Sequence, residues 1–128
     1  MPKHGRIDEN QPDLVAFARS LGMSVAIVAG IPGQLDLIVG IAGIDQRVEV
    51  KNPEKPLSDR KLTQSEQKVF STWNGRKPII WETEDDALST FETLRREAEN
   101  ARLKATLAPV SKSQEKRLKI QLGEHPIG

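Results

Sequence analysis

Two short apolar runs, Leu35–Gly40 (LDLIVG) and Arg47–Lys51 (RVEVK), stand close together in this chain, and each carries a carboxylate. The connection between them contains Gly43 and is short, so the two runs read as strands of an antiparallel hairpin. Strand side chains alternate between faces, which sends Val48 and Val50 one way and Glu49 and Lys51 the other. If the hairpin turns through a four-residue loop, Gly40 pairs with Asp45 and Asp36 falls opposite Glu49. The two carboxylates then have Cβ atoms about 4.5–5.5 Å apart. Charged side chains seldom occupy such positions for packing. The hairpin must therefore give one face to a core and keep the other for something else.

The other elements follow from periodicity. Pro12–Leu21 has apolar residues at Leu14, Phe17, Ala18 and Leu21, the spacing of an amphipathic helix that Gly22 stops. Ser24–Ala29 is a brief apolar, β-branched strand, left through the turn Gly30-Ile-Pro-Gly33. Asn52–Lys61, with two prolines and several charges, reads as an exposed loop. Thr63-Gln-Ser-Glu66 has the form of a capping box that opens a helix to about Trp73, with Val69, Phe70 and Trp73 as its buried stripe. Lys77–Glu82 is a fourth strand, and Glu84–Arg96 a helix with Leu88, Phe91 and Leu94 inward. The predicted fold is α/β, a mixed central sheet of about four strands flanked by helices in the order α-β-β-β-α-β-α.

A chain of 128 residues is one domain's worth. The core is expected over residues 1–97, followed by a basic extension, 98–128, in which apolar side chains thin out and partial disorder or an arm for a dimer or DNA is expected. Within the extension, Arg117–Leu122 alternates polar and apolar residues, as an edge strand, a dimer arm or chance would give. No apolar run approaches the roughly 18 residues of a membrane span, and no apolar stretch follows the basic N-terminus, so a cytoplasmic protein without a secretory signal is expected. The chain has no cysteine, which excludes disulfides and thiolate-bound zinc, and His4 and His125 lie near opposite ends. Any metal must be held by oxygen ligands or by these two histidines, which are poorly placed to form a site together.

The net charge of +1 announces no nucleic-acid partner, so distribution matters more than the sum. Arg47–Lys61 holds five bases against three acids, bases dominate again from Arg95 to Lys119, and Glu82–Asp86 is acidic. One DNA-facing side would look like this, and so would two solvated faces. Trp73 and Trp81 both lie in apolar patterns and are expected in the core, with base-stacking platforms as the alternative. Aromatic residues are only 4% of the chain, which argues against recognition of single strands by stacking. No Gly-Lys-Ser/Thr follows Gly30-Ile-Pro-Gly33, so this turn is not a phosphate-binding P-loop.

Two carboxylates as close as Asp36 and Glu49 repel unless something compensates, and a hard divalent cation does so when both offer oxygen. Mg²⁺ binds through one or two carboxylates and keeps waters for a substrate phosphate. Lys51, beside Glu49, would orient water and stabilise charge developing on phosphorus. The plainer alternative for Glu49 and Lys51 is a salt bridge on an exposed strand face.

Several segments together resemble a known family. Arg6-Ile-Asp8-Glu-Asn10-Gln11, the G-x-x-D-L-x-V-G run Gly33–Gly40, Val48-Glu-Val-Lys51, Arg60-Lys-Leu-Thr63 and Trp73-Asn-Gly75 are similar to small phage-encoded nucleases of the PD-(D/E)XK superfamily, akin to its VRR-NUC and Holliday-junction-resolvase branches. The resemblance spans roughly Arg6 to Leu94 and implies a restriction-endonuclease-like core. It implies Asp36, Glu49 and the Val50 carbonyl as ligands of Mg²⁺, replaceable by Mn²⁺, with Lys51 catalytic. An acid on the first helix is also implied. Asp13 matches by position within the helix, whereas Asp8 falls in the shared R-x-D-x-N-Q stretch. Asn10, Gln11 and Glu66 become accessory candidates, Glu66 with its capping role as the alternative. Arg6, Lys55, Arg60 and Lys61 become DNA contacts. Leu35 departs from the family's usual proline and loosens the turn before the aspartate. The activity implied is a metal-dependent DNA endonuclease, selective for branched DNA, working as a homodimer in a bacterial host's cytoplasm. Nicking or non-specific cleavage of duplex DNA is the alternative within that class, and a non-catalytic DNA- or protein-binding module is the alternative outside it.

Overall fold

The computed structural model describes residues 8–107 and Arg117. The chain divides into two compact units, Met1–Ala98 and Glu99–Gly128. All the strands among the described residues lie in the first. Helix α1 (Gln11–Ser20) carries Pro12 and Asp13 in its first turn, a residue pre-set for helical φ and a charge that complements the helix dipole. Its end is a Schellman arrangement. Met23 N–H donates to the Ala18 carbonyl (3.1 Å) and Gly22 N–H to that of Arg19 (3.0 Å). Gly22 adopts the φ of +100° that this ending needs.

Strands β1 (Ser24–Ile27), β2 (Leu37–Ile41), β3 (Ile44–Val50) and β4 (Ile79–Trp81) form one sheet in the order β1-β2-β3-β4. The first three run antiparallel, whereas β4 is parallel to β3, so the sheet is mixed. With α2 (Gln64–Thr72) and α3 (Glu84–Leu107) the order is the α-β-β-β-α-β-α of the sequence reading. Gly40 pairs with Asp45 as expected, but the ladder continues to Ile41 and Ile44. The loop is thus two residues, not four. Ala42 and Gly43 both take positive φ, +55° and +83°, the mirror-image turn whose twist suits a hairpin. The Asn52–Lys61 loop contains one 3₁₀ turn, Leu57–Arg60.

Leu14, Val15 and Ala18 of α1 pack with Met23, Leu37 and Val39 of β2, Val48 and Val50 of β3, Trp81 of β4 and Ala87 of α3. Trp81 is a core residue, fully buried, and its Nε1 donates to Thr90 Oγ1 (2.9 Å). Opposite the core, the register places Ile38 beside Arg47 on the sheet's second face, with Glu49 and Lys51 further along it.

Three expectations need correction. Helix α3 runs to Leu107 instead of ending near Arg96, and its buried residues are Ala87, Thr90 and Leu94, with Leu88 exposed. Helix α2 has no buried residue: Val69 and Phe70 are half-buried and Trp73, just past its end, is 46% exposed. The reason is that α2 meets the sheet's second face, where Arg47 and Lys51 reach it with long polar side chains. Of the second unit, residues 99–107 are helical and exposed, with an Arg102–Glu99 ion pair at 2.6 Å. The Arg117–Leu122 alternation and the character of the extension beyond Leu107 lie outside the described residues, Arg117 excepted. No helix among the described residues is long and apolar enough to cross a membrane.

Candidate functional site

Asp36 stands one residue before β2. Extending the ladder past the Leu37–Val48 pair sets it across from Glu49, as the hairpin register predicts. Here β2 ends while β3 continues, and Asp36 fills the gap by accepting the Val50 N–H at Oδ2 (2.8 Å). In an extended strand the N–H and C=O of one residue leave on the same edge. The Val50 carbonyl is thereby directed to the Asp36 side, while the next residue, Lys51, donates its N–H to Trp81 on the β4 side (3.0 Å).

Glu49 is only 3% exposed and Lys51 8%. The Lys51 ammonium lies 3.5 Å from Glu49 Oε2 and 2.9 Å from Glu66 Oε1. Glu66 keeps its place through the capping box of α2: its Oε1 accepts the Thr63 N–H (2.8 Å), and its own N–H donates to Thr63 Oγ1 (3.2 Å). Glu66 takes the capping role that Thr63-Gln-Ser-Glu66 predicts, and the same side chain pairs with Lys51. One carboxylate caps the helix and anchors the lysine.

Other candidates surround this cluster. Asn10 Nδ2 donates to the carbonyls of Lys51 (3.1 Å) and Glu82 (3.0 Å), stitching the start of α1 to the ends of β3 and β4. Gln11 is buried, and its Oε1 has no partner among the described residues. Asp8 pairs with Lys55 (3.4 Å), and its charge acts on Asp36. Asp13 is exposed on the first turn of α1 and takes no part in these interactions. Of the two N-terminal acids, the fold brings Asp8 to the cluster. Arg60 pairs with Glu82 (3.3 Å), whereas Lys61 is exposed. Arg6 lies outside the described residues.

The electrostatics follow from crowding three acids around one base. Burial pushes the Glu49 carboxyl up to about 10, and hydrogen bonding to Glu66 and the nearby Asp36 charge push the same way. Asp36 is raised too, chiefly by burial, with the charges of Asp8 and Glu66 adding and the hydrogen bonds from Glu49 and Val50 opposing. Burial also works to raise Glu66. Hydrogen bonds from Glu49, Lys51 and the Thr63 N–H overcome it and hold that carboxyl at about 2. For Lys51, burial favours the neutral amine, but the hydrogen bond and charge of Glu66 and the charge of Glu49 outweigh it and raise the ammonium's pKa. These surroundings favour the charged form of Lys51 and the neutral form of Glu49.

Among the described residues no group of three or more His, Cys, Asp or Glu side chains is arranged to hold a metal ion. Two carboxylates and a strand carbonyl are what this end of the hairpin offers. That all-oxygen donor set fits a hard divalent cation, whose charge would offset the crowding that raises both carboxyls. The sequence reading missed Arg47, which lies on the same strand face as Glu49 and stacks on Trp73 with its guanidinium carbon 3.8 Å from the ring centroid. Its signal was the period of two that relates Arg47, Glu49 and Lys51. Compared with protein-family models, curated proteins and solved structures, the chain finds no match in any of the three.

Proposed function

We propose that this chain is a metal-dependent endonuclease that hydrolyses DNA phosphodiester bonds, as its resemblance to PD-(D/E)XK nucleases implies. The observation that carries the reading is the buried Glu49 beside the half-buried Asp36, with Lys51 clamped next to Glu49 at the end of the β2–β3 hairpin. A packing role does not account for it, because burying two carboxylates together is unfavourable. Asp36, Glu49 and the Val50 carbonyl would hold Mg²⁺ or Mn²⁺. When bound, the ion supplies an activated water and positive charge at the scissile phosphate. Lys51 would orient the attacking water and stabilise negative charge on the phosphoryl oxygens, a role for which Glu66 holds its ammonium in position. Glu66 is thus a positioning residue. Asn10 acts similarly by tying down the backbone that carries Lys51.

Branched DNA is the favoured substrate. A domain this small has little surface for reading base sequence, and a homodimer would present the two sites that a symmetric junction requires. The test is cleavage of a four-way junction and a matched linear duplex by wild type and Glu49→Ala in Mg²⁺, Mn²⁺ or EDTA. Cutting of the junction alone, dependent on metal and on Glu49, is the expected result. Equal cutting of both substrates would keep the nuclease and discard branch selectivity. No cutting in any condition, with no calorimetric Mg²⁺ binding near millimolar concentration, would leave a binding module.

A further inference from the structure

A second constellation lies on the same face of the sheet, outside the carboxylate cluster. Arg47 is only 8% exposed, yet among the described residues no carboxylate lies within ion-pair distance of it. Both terminal nitrogens donate to Gln34 Oε1, Nη1 at 2.8 Å. Its Nε–H has no acceptor among the described residues. The guanidinium instead lies over the Trp73 ring. Burying a cation without a counter-ion is unfavourable, and the ring offsets only part of that cost.

Trp73 is held on two sides and open on the rest. Arg47 covers one face, and the chain at Gly75 runs so close to the pyrrole edge that a Cβ there would sit 2.7 Å from the indole Nε1. Even so, Trp73 is 46% exposed. Position supplies the rest. Arg47 precedes Glu49 by two residues, so their Cα atoms are about 7 Å apart on one strand face. Helix α2 runs beside them, with Glu66 of its first turn on Lys51 and Trp73 at its end on Arg47.

We infer that the outer face of Trp73 is the stacking platform for one unpaired nucleobase of the DNA substrate, next to the phosphodiester held at Asp36, Glu49 and Lys51. This rests on the nuclease reading above. A rigid aromatic face accepts any base, and stacking contributes appreciably to binding. A single platform suits one base splayed out at a branch or flap, since a base inside a duplex has no free face to offer. The unpaired charge of Arg47 behind the ring attracts the phosphate of the same nucleotide.

Tryptophan emission tests this, because the chain has two tryptophans and the other, Trp81, is fully buried. The full chain is titrated, in EDTA and with Ca²⁺ in place of Mg²⁺, with a flap duplex bearing unpaired nucleotides and with a closed hairpin duplex. Binding is followed by anisotropy of labelled DNA, and cleavage of the same DNAs is measured in Mg²⁺. The flap should quench the emission and the hairpin should not. Trp73→Phe should abolish the quench while keeping flap affinity within about twofold, because a ring remains. Trp73→Ala should weaken flap binding and raise KM about tenfold, with little effect on the hairpin. Flap binding without quenching, or Trp73→Ala equal to wild type on both DNAs, overturns the platform and leaves the nuclease. Quenching without cleavage in Mg²⁺ or Mn²⁺ supports the platform and overturns the nuclease. Failure to bind either DNA overturns both.

Discussion

Glu49 holds its proton far into the alkaline range, first because it is buried and then because Glu66 and Asp36 crowd it. Its carboxyl titrates near 4.5 when unfolded and about 10 when folded, so the native chain binds more protons between those values. Its contribution to stability is complete below about pH 4.5 and declines as the pH rises toward 10. Denaturant unfolding in EDTA should show this decline, and Glu49→Gln should flatten it. Glu66 acts in the opposite sense: its contribution is present above about 4.5 and is lost as the pH falls through about 2. For activity, Lys51→Ala should lower cleavage at least about 100-fold while leaving DNA affinity near wild type. Asp36→Ala should remove both cleavage and calorimetric Mg²⁺ binding. Full cleavage by either variant sinks the assignment of these residues.

At the scale of elements, the hairpin and the capping box position the cluster. Ala42 pays for the tight turn with a left-handed conformation that asparagine tolerates better. Ala42→Asn should therefore stabilise the fold by about 0.5–1 kcal/mol, read as a higher urea midpoint at unchanged slope. The hairpin register was legible although the turn proved two residues shorter than expected, because strand alternation and the pairing of Gly40 with Asp45 decide who faces whom. The environment of α2 was not legible. The spacing of Val69, Phe70 and Trp73 is the same whether a helix faces an apolar core or a layer of arginine and lysine stems, and here it faces the latter.

For the first unit as a whole, the basic loop is less free than its composition suggests. Lys55 and Arg60 are engaged with Asp8 and Glu82, whereas Lys61 is exposed. Lys61→Ala should weaken binding to all DNAs alike and reduce the salt slope by about one, as loss of one phosphate contact requires. Lys55→Ala and Arg60→Ala should reduce the slope by less, since acids already neutralise part of those charges. Anisotropy titrations across a salt series distinguish these outcomes.

The sequence by itself determined the order of helices and strands, the two faces of the β2–β3 hairpin and the meeting of Asp36 with Glu49. Those features follow from local periodicity and turn chemistry, which act over a few residues. Only the tertiary structure decided that Asn10 ties Lys51 to Glu82, that Glu66 caps a helix and clamps Lys51 together, and that Arg47 rests on a half-exposed Trp73. Each joins segments far apart in the chain. Burial and through-space charge depend on what those segments bring together, and no local pattern records that.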